Sequence, residues 1–246
     1  MMPGMQIRAD MANAQAHAWA RIGEPGAWWS GAERAAIAAE TRHALACPLC
    51  AARKVALSPA MVGGDHATLG ALPGAAVEAI HRIRSDPGRL GEAWYRRVLA
   101  AGLDADRYAE LVSIVVITVA VDTFRNAIGL GPLQLPAARA GEPSRRRPRG
   151  IKPGPGWGFS LEAEDRSGDD PDLYCEHPGP RTRSSAHILL ALSAVPDAMM
   201  HWWDMFETMY QPGPWMRDFT REYRAISHAQ IEMLAARVAA LNQCEY

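Results

Sequence analysis

The chain has 246 residues, with 26 Lys and Arg against 27 Asp and Glu and a formal net charge of -1. That balance argues against a partner held mainly by charge, so neither nucleic acid nor a membrane surface is expected. Four cysteines in a chain of this length are too few for a disulfide scaffold, and two of them, Cys47 and Cys50, form a Cys-x-x-Cys.

Residues 1–27 read as an extension that lacks the apolar core of a secretory signal. A reducing, cytoplasmic setting is therefore the expectation, and there a Cys-x-x-Cys is reactive or metal-bound rather than a static bridge. Ser30 with Glu33 makes a capping box that opens a helix over Ala32–Ala46. Pro48 suits the first position of the next helix, which puts Cys47 at its N-cap. Free N–H groups and the helix dipole favour a thiolate at that place. Leu72-Pro73-Gly74 and Asp86-Pro87-Gly88 bracket a helix carrying Val77, Ile80 and Ile83. The following one carries Trp94 and Val98 and ends at Gly102. Asp104 caps Ala105–Ile128, which Gly129 stops. Its LVSIVVITVAV run is β-branched like a strand, but more than twenty residues without Gly or Pro predict a buried helix. The greasiest stretch, Ile114–Val121, falls well short of the roughly 20 residues of a membrane span.

Residues 136–183 are dense in Pro, Gly and charge and include the basic run Arg145–Arg149, which reads as a solvated linker. Helical spacing resumes at Ser184. Trp28, Trp29, Trp202 and Trp203 and the stripe Met199, Met200, Met205 and Met209 read as core. After a break at Pro212–Pro214, a last helix follows Ser227. No strand is predicted, and the fold class is all-α.

The two outer cysteine segments overlay without gaps. SGAERAAIAAETRHALACPL (Ser30–Leu49) matches SHAQIEMLAARVAALNQCEY (Ser227–Tyr246) at the serine caps, at three alanines and at Cys47 with Cys244. Each copy is a capped helix that delivers a cysteine to its end. In the second, Glu232 stands twelve residues before Cys244, and ARVAALNQCEY is close to a familiar wording. On these residues, and on Pro73–Gly129 and Ser184–Tyr210, the chain resembles the AhpD-like alkylhydroperoxidase and carboxymuconolactone decarboxylase superfamily in a tandem form. The modules would be 28–135 and 184–246.

The resemblance implies a thiol-dependent peroxidase acting on a small hydroperoxide, regenerated by a thiol/disulfide reductant, without a cofactor and assembled as a homo-oligomer. The second cysteine of the family motif attacks the peroxide and the first resolves it. A glutamate twelve residues before the motif and a histidine four after it relay the proton. Cys47, Cys50, Glu232 and Cys244 are the candidate catalytic residues on this reading. The first copy departs from the motif, with Ala35 at the glutamate position and Lys54 at the histidine position. Glu33, Glu40 and His43 fall on other helical faces than position 35. In the second copy the sequence stops at Tyr246, ahead of the place of its second cysteine. A UGA codon, mutated from cysteine or specifying selenocysteine, would account for that, as would a frameshift or a fragment. Zinc is disfavoured because no second Cys-x-x-Cys or His-x-x-x-His completes four ligands, and Cys175 and His177 offer no identifiable partners. Two other readings stay open: a degenerate helical interaction module, and a decarboxylating lyase, whose members generally lack the Cys-x-x-Cys.

Overall fold

A computed structural model describes residues 7–168, 170, 187–216, 218–242 and 244. The fold is all-α. Its helices are α1 (Ala9–Ile22), α2 (Gly31–His43), α3 (Pro48–Val55), α4 (Gly74–Ser85), α5 (Glu92–Ala100), α6 (Ala105–Ala127), α7 (His187–Leu190), α8 (Pro196–Met209), α9 (Gly213–Met216) and α10 (His228–Leu241). No helix among the described residues is long and apolar enough to cross a membrane.

Helix α6 is the central post, and α1, α2, α4 and α8 pack around it. Its β-branched run faces the core: Leu111, Ile114, Val115, Ile117 and Val121 are all buried. Burial of such side chains contributes roughly 1.5–3 kcal/mol each, more than the modest helix-propensity penalty of β-branching. Its two buried hydroxyls are absorbed by the helix itself, Ser113 Oγ donating to the Glu110 carbonyl and Thr118 Oγ1 to the Ile114 carbonyl. Asp104 accepts from the Arg107 N–H as the N-cap. Gly102 and Gly129 take the left-handed φ of 105° and 75° that ends a helix at little steric cost.

The capping box at Ser30 is present in full, but α2 begins at Gly31 and stops at His43, where a 3-10 turn (Ala44–Ala46) replaces its predicted last turn. The N-terminal extension is not peripheral. Its helix α1 puts Trp19 and Ile22 into the main core and packs on α8. The Trp19 indole donates to the Gln134 carbonyl at 2.7 Å, and the Arg42 guanidinium lies 4.6 Å above its ring. Below α1, a buried ion pair joins α2 to α6. Arg34 Nη1 donates to Glu110, which also accepts the Trp28 N–H at 2.6 Å. Burial pushes the Glu110 carboxyl above its ordinary pKa even so.

Much of 136–168 is tied down as well, although composition predicts a solvated linker. The Arg139, Ser144 and Arg145 amides donate to the carbonyls of Gly23, Gly26 and Ala27. Within the basic run, Arg147 pairs with Asp106 at 3.0 Å and Arg145 lies over the Trp28 ring. A two-residue antiparallel hairpin, β1 (Lys152–Pro153) with β2 (Phe159–Ser160), is a strand pair the sequence did not announce. Leu161 beyond it enters a second core with Met199 and Trp203. Trp29 and Met205 are likewise core residues.

Candidate functional site

Local geometry brings Cys47 and Cys50 together. After the 3-10 turn, Cys47 takes an extended conformation (φ -75°, ψ 119°) as N-cap of α3, with Pro48 in the first turn. Cys50 follows one turn on. Both are buried, at 1% and 3% exposure, and the 56–73 connection covers them with Val62 and Ala67.

Two histidines converge on the sulfurs. His66, from that connection, places Nδ1 3.5 Å from Cys47 Sγ and 3.6 Å from Cys50 Sγ. His81, from α4, places Nδ1 3.3 Å from Cys50 Sγ. A carboxylate holds the far nitrogen of each ring: Glu40 Oε1 is 2.8 Å from His81 Nε2, and Glu78 Oε2 is 2.8 Å from His66 Nε2. Glu40 is fully buried, and its other oxygen accepts from Thr68 Oγ1 at 3.1 Å and the Leu69 N–H at 3.0 Å. Glu78 also accepts from the Trp94 indole at 2.9 Å and from Arg53 Nη1 at 3.0 Å.

These surroundings separate the two thiols. For Cys47, burial alone would raise the pKa. The backbone amides of Cys50 and Ala67 and the His66 ring outweigh it and hold the thiol at about 6. Burial, then the neighbouring Cys47 sulfur, push Cys50 up to about 11. The reduced pair therefore carries a thiolate on Cys47 and a proton on Cys50 near neutral pH. Burial likewise opposes ionisation of Glu78, but donors from His66, Trp94 and Arg53 bring it down to about 2. His66 is desolvated too, yet Glu78 and Cys47 lift its pKa above the ordinary value.

Sequence reasoning placed Cys47 correctly at a helix start but missed the groups around it. Glu40 lies on a different helical face from position 35, the place of the motif glutamate. It stands in the last turn of α2, ahead of the 3-10 turn that leads to Cys47, and reaches the Cys50 sulfur through His81. No motif marks His66 and His81, although they are the only histidines between Cys50 and Cys175. By motif, the sequence offers no second ligand pair for zinc. In space, Cys47, Cys50, His66 and His81 bring four ligand atoms within 4.8 Å of one another. Lys54 is exposed, and the basic neighbour is Arg53, whose Nε donates to the Val62 carbonyl.

The predicted partners from the second copy are not in this cluster. Glu232 lies half-exposed on α10, accepting from the Tyr210 hydroxyl at 2.7 Å with His228 Nε2 3.7 Å away. Cys244 is exposed just past that helix. Ser227 does form the capping box that mirrors Ser30, but α10 buries only Ile231 and leaves Met233, Leu234, Val238 and Leu241 in the open. Cys175 and His177 lie outside the described residues.

A cavity of about 670 Å³ reaches the outer side of Glu78 and Arg53 and continues past Arg82, Arg89 and Trp94. A more apolar one, about 300 Å³ between α6 and the hairpin, touches none of the cluster. No family model matches the chain, and no curated protein or solved structure is significantly similar to it.

Proposed function

We propose that the chain is a thiol-dependent oxidoreductase that reduces a small hydroperoxide through Cys47 and Cys50. The observation that carries this reading is the line from Cys50 Sγ through the His81 imidazole to the buried Glu40 carboxylate, 3.3 and then 2.8 Å long. A nucleophile, a base and a group that orients the base are the parts an activated thiol needs. The AhpD-like resemblance supports the roles of the two cysteines, with Cys50 attacking and Cys47 resolving, while the base and its carboxylate come from other positions than the family motif's.

In this mechanism His81 accepts the Cys50 proton and Glu40 stabilises the resulting imidazolium. The Cys50 thiolate attacks the terminal peroxide oxygen and the O–O bond breaks. The departing alkoxide takes the proton from His81 and leaves as an alcohol, with Cys50 as a sulfenic acid. Cys47, already a thiolate near neutral pH, then attacks the Cys50 sulfur. The S–O bond breaks, hydroxide leaves and is protonated to water, and a Cys47–Cys50 disulfide remains. An external thiol reductant returns two electrons and two protons by exchange. Thiols this deeply buried admit a slim substrate; a bulky one requires the 56–73 connection to move.

The test compares single-turnover oxidation of the wild type, Cys50→Ser and Cys47→Ser, each reduced and stripped of metal. Cys50→Ser, which keeps only the Cys47 thiolate, should lose the rapid phase and consume peroxide no faster than an unassisted thiolate. Cys47→Ser should react once and stop at a sulfenic acid that a dimedone probe traps. Peroxide consumption at the wild-type rate in Cys50→Ser overturns the assignment.

A further inference from the structure

The peroxide chemistry uses one histidine and one carboxylate, yet the pocket contains two of each. His66 and Glu78 form a second imidazole–carboxylate pair on the same two sulfurs. We infer that Cys47, Cys50, His66 and His81 form a tetrahedral binding site for a thiophilic divalent cation, Zn2+, in the reduced protein.

The dimensions fit. Zn–S bonds of about 2.3 Å and Zn–N bonds of about 2.0–2.1 Å at tetrahedral angles put a sulfur and a nitrogen ligand about 3.6 Å apart. Three of the four sulfur–nitrogen edges here measure 3.5, 3.6 and 3.3 Å, and all four atoms lie within 4.8 Å of one another. Both histidines present Nδ1 to the sulfurs and hand Nε2 to a carboxylate. Zinc sites use that arrangement to fix the ring and its tautomer. Two thiolates cancel the charge of the ion. The outer carboxylate of Glu78 is itself paired with Arg53 at 3.0 Å, and that of Glu40 is held by the Thr68 hydroxyl and the Leu69 amide.

The pocket is closed rather than open. Cys47, Cys50 and His81 are buried and the His66 side chain is only 8% exposed. Four protein ligands in a buried site describe a zinc held for structure, in contrast to a catalytic zinc, which keeps one position for water. The ion would clamp the 56–73 connection, through His66, to α3 and α4. Formation of a Cys47–Cys50 disulfide removes two of its four ligands, so bound metal and disulfide exclude each other. The site stands or falls independently of the peroxidase reading, because coordination is measured without peroxide and peroxide reactivity without metal.

The experiment titrates Co2+, as a spectroscopic stand-in, into the full-length reduced protein under anaerobic conditions and then adds Zn2+. The expected result is one equivalent bound, with the intense visible bands of tetrahedral thiolate-ligated Co2+, displaced by Zn2+. Binding should be lost in a Cys47→Ser/Cys50→Ser variant and on oxidation to the disulfide. His66→Ala should weaken it and alter the bands. Glu78→Gln, which keeps all four ligands and the shape of the pocket, should weaken it roughly 10–100-fold. A folded wild type that takes up no ion overturns the inference. So does affinity that neither His66→Ala nor Glu78→Gln changes, because the ion would then sit elsewhere.

Discussion

Glu40→Gln tests the relay with the smallest change in shape. One Glu40 oxygen accepts from two groups, the Thr68 hydroxyl and the Leu69 amide, and the other faces His81 Nε2. The Leu69 N–H can only donate, so a glutamine turns its oxygen that way and presents its NH2 to the imidazole. To accept that donor, His81 must leave Nε2 unprotonated and carry its proton on Nδ1, facing Cys50. In that tautomer the ring cannot take the thiol proton. The loss of a positioned general base is worth roughly 10²–10⁴ in rate, or about 3–5 kcal/mol of barrier. Any mismatched contact adds about 1–3 kcal/mol of destabilisation, so the comparison belongs at a temperature where circular dichroism shows both proteins folded. The assay is loss of titratable thiol after reduced, metal-stripped protein meets excess hydroperoxide, followed across pH. Wild type should react readily near neutral pH. The variant should gain rate only as pH rises toward the range of an unassisted, buried Cys50 thiol, held at about 11. A folded Glu40→Gln protein with the wild-type rate and pH profile refutes the reasoning.

Three further outcomes follow from the packing and electrostatics. In reduced, metal-free protein, ultraviolet thiolate absorbance should rise with a midpoint near the value of about 6 set for Cys47 by the amides of Cys50 and Ala67, and Cys47→Ser should abolish that step. Arg34→Ala strands the fully buried Glu110 carboxylate and should cost about 3–5 kcal/mol in urea unfolding, while Arg34→Met with Glu110→Leu recovers most of the loss. Ser30→Ala removes the capping box of α2 and should lower stability by about 1 kcal/mol in the same assay.

Local chemistry made parts of the molecule legible in sequence. Ser30 with Glu33, Asp104, Gly102 and Gly129 set helix ends through bonds and backbone angles that involve only their near neighbours. The same holds for Cys47, whose N-cap place follows from the proline beside it. A stretch of more than twenty residues without Gly or Pro marks α6 as a buried helix, and the all-α class follows from many such local signals agreeing. Composition marks 136–183 as a solvated linker because it records how little apolar surface a stretch has, not which carbonyls it can bond; amides of Arg139, Ser144 and Arg145 find partners at Gly23, Gly26 and Ala27. The site depended on tertiary structure for a related reason. Glu40, Cys50, His66 and His81 sit on a helix end, a helix start, a connection and the next helix, and their spacing follows no short motif. What unites them is the packing of α4 against α2 and α3, which sets His81 between Glu40 and Cys50. It also seats His66, held by Glu78 of α4, over both sulfurs. The sequence by itself determined that a dithiol stands at a helix N-terminus in an all-α chain. Only the tertiary structure decided which bases and ligands surround it, because those contacts join residues up to 41 positions apart through burial that no local pattern encodes.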